Sequence, residues 1–257
     1  MIDLRYVLSG LCVGAIVGMT GVGGGSLMTP LLIMLFGVHP ATAVGTDLLY
    51  AAVTKGFGTL VHGYTQTVDW RIVHRLAAGS VPATVLTLLI LSHFDLRSAQ
   101  AAHLISRALG AALVATSLTL IFRHWLIAWF ERHFPAPSPR GTTILTVATG
   151  LLLGVLVSIS SVGAGAIGVT ALAILYPRLP AARIVGSDIA HAVPLTLVAG
   201  AGHWLIGSID THILGSLLVG SVPGILVGSY AAIRMPDRAV RTSLAVMLVI
   251  VGGRLLL

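Results

Sequence analysis

Residues 21–47 read GVGGGSLMTPLLIMLFGVHPATAVGTD, and residues 162–188 read VGAGAIGVTALAILYPRLPAARIVGSD. Each stretch holds a glycine-rich break, a short apolar run, a polar turn and a Val-Gly-hydroxyl-Asp sequence. The match continues downstream. His62, Asp69 and Ser80-Val81-Pro82 follow the first stretch, and His203, Asp210 and Ser221-Val222-Pro223 follow the second. The offset is 140 at the glycines and 141 from Val44 and Val185 onward. Apolar segments often look alike by chance. Polar residues kept in register over about sixty positions do not, so the chain is an internal duplication.

Composition says what was duplicated. Of 257 residues, 56% are hydrophobic and 9% are charged, against about 25% charged in an ordinary soluble domain. So few charges cannot cover a water-facing surface. A soluble enzyme, a nucleic-acid module and a disordered scaffold are excluded, and a polytopic membrane protein is expected. Lys and Arg number 15 and Asp and Glu 8, a formal charge of +7. In a membrane protein that surplus marks cytoplasmic loops. Cys12 is the one cysteine, so no internal disulfide or Cys-rich metal site is available, and it is expected to be a small buried hydrophobe. No cleavable signal peptide is evident before the first apolar run.

Apolar segments are expected at 4–19, 25–38, 41–62, 72–92, 99–122, 142–158, 165–176, 182–206, 211–233 and 239–257. The segments after the two glycine breaks, 26–38 and 166–176, are too short to cross about 30 Å of hydrocarbon at about 1.5 Å per residue. Each is expected to fold back as a re-entrant or broken helix pair, which is tolerated where the backbone is buried in protein or lines a cavity. The expected fold class is therefore an all-α polytopic membrane protein. It has two inverted-topology repeats, 1–122 and 142–257, each a glycine-broken pair followed by three transmembrane helices. Residues 123–141, with Trp125, Trp129, Pro135, Pro137 and Pro139, read as an interfacial cytoplasmic linker. Arg71, Arg75, Arg123, Arg132, Arg140, Arg178, Arg183, Arg234, Arg238 and Arg241 cluster on one face. Arg5, Arg97 and Arg254 fall on the other. The positive-inside rule puts the first face in the cytoplasm of a cell (inner) membrane protein and both termini outside.

Two glycine breaks, each opening a short helix, suggest an anion cradle near the midplane. Glycine lets backbone approach a ligand, and a helix start offers unpaired N–H groups and partial positive charge. Gly23, Gly24, Gly25, Ser26, Gly163, Ala164 and Gly165 are the candidate substrate-binding residues there. Thr46, Ser161 and Ser187 are added as hydroxyl donors, and Lys55 as a counter-charge. Ionisable groups at membrane depth are costly and tend to be functional or paired. Asp47, His62, Asp188, His191 and His203 are thus candidates for proton coupling or gating. No catalytic residue, metal ligand or cofactor is expected. Ser160, Ser161 and His203 lack the G-x-S-x-G elbow of a serine hydrolase.

The run Gly21–Gly25, Pro30 and Ala43-Val44-Gly45-Thr46, with its counterpart Val162–Gly165 and Val185-Gly186-Ser187, resembles the sulfite exporter TauE/SafE family. The resemblance extends over nearly the whole chain, including Val68-Asp69-Trp70. It implies a permease that moves small anions such as sulfite, sulfonates and related organosulfur compounds without ATP. At the positions of Asp47 and Asp188 that family commonly has a small hydroxyl residue. Expected partners are a small anionic substrate, the lipid bilayer and a second copy in a homodimer, with no nucleic acid. The alternative is a carrier of a divalent metal cation held by the intramembrane Asp and His residues.

Overall fold

The computed structural model describes residues 2–20, 25–64, 67–134, 138–232 and 237–256. Every regular element among them is an α-helix: α1 Leu4–Thr20, α2 Gly25–Phe36, α3 Pro40–Tyr64, α4 Trp70–Leu91, α5 Ala99–His133, α6 Pro139–Ser160, α7 Ala166–Leu175, α8 Ala181–Leu205, α9 Thr211–Ala232 and α10 Asp237–Leu256. Helices α4, α5, α6 and α8 and residues Thr211–Gly228 of α9 are each long and apolar enough to cross a membrane. The protein is polytopic and all-helical.

Most helices begin and end where the apolar runs do. The exception is α5, which continues through residues 123–133 of the expected linker. Nothing between Ala99 and His133 breaks a helix, and the first proline beyond Ala99 is Pro135. At 35 residues, α5 is roughly 52 Å long and must pass out of the hydrocarbon. Its end carries an aromatic stack, Trp125 on Trp129 at 6.4 Å and Trp129 on His133 at 4.9 Å. Such residues suit the headgroup layer.

Helices α2 and α7 have 12 and 10 residues, and both double back along the helix before them. The Tyr6 ring near the start of α1 lies 4.6 Å from the Phe36 ring that ends α2. In the second half the Thr146 hydroxyl near the start of α6 lies 2.9 Å from the Tyr176 hydroxyl just past α7. Positions 6 and 146, and 36 and 176, differ by the same 140. Each half therefore opens with a helical hairpin closed at equivalent positions by different chemistry.

The hairpins pack on the opposite halves, α1 against α9 and α6 against α4. Glycine makes these crossings close. A Cβ on Gly10 would lie 2.2 Å from the Leu217 carbonyl oxygen, and one on Gly150 would lie 2.1 Å from that of Leu76. Gly14 faces the Ser221 carbonyl, and Gly154 faces that of Ser80. Gly220 faces Val7, and Gly79 faces Val147. Without an apolar driving force in lipid, such backbone-to-backbone approach is what holds helices together. Cys12 lies on the exposed side of α1, not in the core as expected: this helix turns Gly10 and Gly14 toward α9.

Helices α3 and α8 pack on each other at the centre and run antiparallel. Near the start of α3, Thr46 Oγ1 accepts from the Asp210 N–H just beyond the end of α8. Near the start of α8, Ser187 Oγ accepts from the Asp69 N–H just beyond the end of α3. Gly45 and Gly186 let those two connections come close. A Cβ there would meet the Ser208 carbonyl at 2.3 Å and the Thr67 carbonyl at 2.6 Å.

Candidate substrate site between the central helices

On α3 the polar residues Asp47, Tyr50, Thr54 and Lys55 recur at helical spacing. On α8 Asp188 and His191 do the same. Burial of these positions is nearly complete. Asp47 and His191 are 0% exposed, Asp188 is 1% and Lys55 is 6%. Four of them, Asp47, Lys55, Asp188 and His191, are in electrostatic range of Lys55 or are Lys55 itself. Tyr50 lies in range of Asp47.

The break between α6 and α7 closes this cluster on one side. Its backbone is unusual at three positions: Ser161 at φ 58°, Gly163 at φ 125° and Gly165 at φ 136°. The last two are conformations that side chains rarely adopt, which is why glycine is needed there. The shape turns the Ala164 carbonyl toward Lys55, whose Nζ donates to it at 3.4 Å. It also brings Ser161 next to the Asp47 carboxylate. Asp47 Oδ2 accepts from the Thr29 hydroxyl of α2 at 2.5 Å. Asp188 lies against the first turn of α7, where a Cβ on Gly168 would come within 2.1 Å of its Oδ1. Both aspartates thus sit beside the two short helices, one per half.

Several polar atoms in the cluster lack a hydrogen-bond partner. They are Asp47 Oδ1, Asp188 Oδ1, His191 Nδ1, Tyr50 Oη and Ser161 Oγ. Such groups in a buried setting are expensive and uncommon. No ion pair within 4 Å joins Lys55 to either aspartate among the described residues, so the amino group and the two carboxyl groups stand apart inside the protein. Among those residues no group of three or more His, Cys, Asp and Glu is placed to hold a metal ion.

The sulfite exporter TauE/SafE family model matches residues 6–255. The chain belongs to that family. It is 37% identical over 258 residues to the probable membrane transporter protein YjnA of Bacillus subtilis (strain 168), covering 99% of this chain and 100% of the other. It is 27% identical to the probable membrane transporter protein YdhB of the same organism, again over the full length of that protein and 98% of this one. A probable membrane transporter protein of Xylella fastidiosa (strain 9a5c) is 30% identical over 112 residues, 44% of this chain and 41% of the other. No solved structure matches.

In this TauE/SafE transporter the candidates from sequence do not all meet. Asp47, Lys55, Ser161, Ala164, Asp188 and His191 come together, with Gly163 and Gly165 shaping the break. Thr46 and Ser187 hold the 208–210 and 67–69 connections instead, and Ser187 also donates to the Arg183 carbonyl at 2.7 Å. His203 Nε2 meets the Ser158 carbonyl at 2.9 Å. That is about 18 Å of helix beyond His191, so it ties α8 to α6 and does not join the cluster. Gly25 and Ser26 start α2, with Ser26 buried. Gly23, Gly24 and the side chain of His62 lie outside the described residues.

Sequence reasoning missed Tyr50, Ser80 and Ser221. His191 Nε2 pairs with Ser80 Oγ at 2.8 Å, and Ser221 Oγ lies 3.4 Å from Thr54 Oγ1, near Tyr50. The signal was available. Subtracting 141 from His191 gives Tyr50, and adding it to Ser80 gives Ser221.

Proposed function

We propose that the chain is a secondary transporter of small anions, sulfite, sulfonates or related organosulfur compounds, whose site is the buried cluster between α3, α8 and the two glycine breaks. The observation that carries the reading is Lys55. A lysine 6% exposed in a membrane helix, held by a single carbonyl at 3.4 Å and with no carboxylate in ion-pair contact, offers an anion a direct cationic partner. The start of α7 beside it adds N–H groups without intrahelical partners. Family membership and the transporter names of the relatives support the same role. The two halves enter the membrane in opposite senses as an inverted repeat, and rocking of one against the other around the fixed site alternates its access. The Arg-rich connections face the cytoplasm and both termini face outward, as the positive-inside rule requires. Asp47, Asp188 and His191 carry the protons coupled to transport.

The test is a thermal-shift panel on detergent-purified protein with sulfite, thiosulfate, sulfoacetate, 2-aminoethanesulfonate and sulfate. Ni²⁺, Co²⁺ and Zn²⁺ run beside them at two pH values. A ligand at 100 times its Kd adds about 2.7 kcal/mol to the folded state. A sulfur oxyanion or sulfonate should raise the melting temperature in the wild type and fail to do so in Lys55→Met. Stabilisation by a divalent cation alone, lost in Asp47→Asn, replaces the anion reading with cation transport.

A further inference from the structure

The cluster holds one cation and two carboxylates, and this imbalance bears on what else the substrate must carry. The inference rests on the anion reading above and narrows its substrate class. With Lys55 charged and both aspartates ionised, the formal sum is −1. A bare anion at Lys55 takes it to −2, and a dianion to −3, in a region where charge is costly. The unpaired atoms point the same way. Asp47 Oδ1 and Asp188 Oδ1 are acceptors with no donor, although both residues are buried to within 1% of completeness. An ionised carboxylate can only accept. Lys55, the nearby cation, donates to the Ala164 carbonyl and forms no ion pair with either aspartate. The Ser161 hydroxyl stands beside Asp47, whereas Asp188 Oδ1 has no donor and Lys55 has no carboxylate in ion-pair contact.

We propose that the site recognises a small acid carrying its own donor, an ammonium foremost and a hydroxyl second, with the anionic head at Lys55 and the donor end at Asp188 and Asp47. A zwitterion adds no net charge to the cluster while supplying both missing partners. Leaving a built acceptor unpaired is how a site rejects an analogue that lacks the donor. Bare dianions are disfavoured on charge.

The experiment compares near-isosteric ligands by isothermal titration of the purified wild-type protein at fixed pH. The probes are 2-aminoethanesulfonate, 2-hydroxyethanesulfonate, propane-1-sulfonate and sulfoacetate. The expected order of affinity is amino, hydroxy, propyl, then sulfoacetate, with at least tenfold between amino and propyl. Asp188→Asn and Asp47→Asn should shrink that ratio, while Lys55→Met weakens all the sulfonates together. Equal binding of the amino and propyl compounds overturns the donor requirement and leaves anion transport standing. Tightest binding by sulfoacetate overturns it too. Binding of none of the four, nor of sulfite or thiosulfate run beside them, by a protein that still melts cooperatively overturns the anion reading itself.

Discussion

At the level of single residues, the duplication has kept positions and changed chemistry. Tyr50 and His191 are equivalent, as are Lys55 and Thr196, while Asp47 and Asp188 are alike. The proposed site, built on such pairs, has two similar frames and one cation, and would give its ligand a preferred orientation. Thr46 and Ser187 show the opposite case, in which position and role are both kept. Each hydroxyl accepts an N–H from the connection after the other central helix. Removing it strands that donor, which costs about 1–3 kcal/mol when buried. Thr46→Val and Ser187→Ala should therefore lower thermal stability by about 1–2 kcal/mol each while leaving ligand Kd within twofold. A tenfold loss of affinity at unchanged melting temperature would instead make these hydroxyls ligands.

Among the helices, small residues decide where backbones can touch. Gly10, Gly79, Gly150 and Gly220 each face a carbonyl oxygen of the opposing helix, at 2.2, 2.0, 2.1 and 1.9 Å from where a Cβ would sit. Backbone cannot swing aside as a side chain does, so an added methyl must spread the two helices. Overpacking of this kind costs about 1–3 kcal/mol. Gly56 and Gly215 have nothing within 4 Å of that position. At those two, alanine removes backbone freedom and should be neutral or stabilising by up to about 1 kcal/mol. Melting curves of the six alanine variants in detergent check this. Four should fall and two should not. Uniform behaviour would show that the seams are looser than drawn.

Across the whole molecule, the two halves are interlocked. The opening hairpin of each packs on the other half, and α3 and α8 meet in the middle. Neither half can then bury its own glycine seam alone. Residues 1–134 or 138–257 expressed separately should aggregate. Co-expressed, they should assemble into a monodisperse complex that retains ligand-induced stabilisation, because the cut removes only the short connection between α5 and α6. Size-exclusion chromatography decides the matter. A soluble, monodisperse half in detergent would show that the seams are not obligatory. Interlocking also bears on transport. The rocking proposed above would slide the glycine seams, which small residues leave smooth.

What the sequence determined by itself was local or periodic. Apolar runs with glycine and proline breaks set the ten helices of the described residues and marked two of them as short, since length against hydrocarbon thickness is arithmetic. Polar residues repeated at 141 revealed the duplication, and rarity of charge marked Asp47, Lys55, Asp188 and His191. What the tertiary structure decided was which of these meet. Lys55 reaches the Ala164 carbonyl, 109 positions away, and His191 reaches Ser80, 111 away. His203, equally buried, is taken up by the Ser158 carbonyl. Periodicity tells which face of a helix is polar but not the height at which it packs on a partner from the other half. That height is fixed by the glycine seams, where backbone meets backbone, and the seams exist only once both halves are folded together.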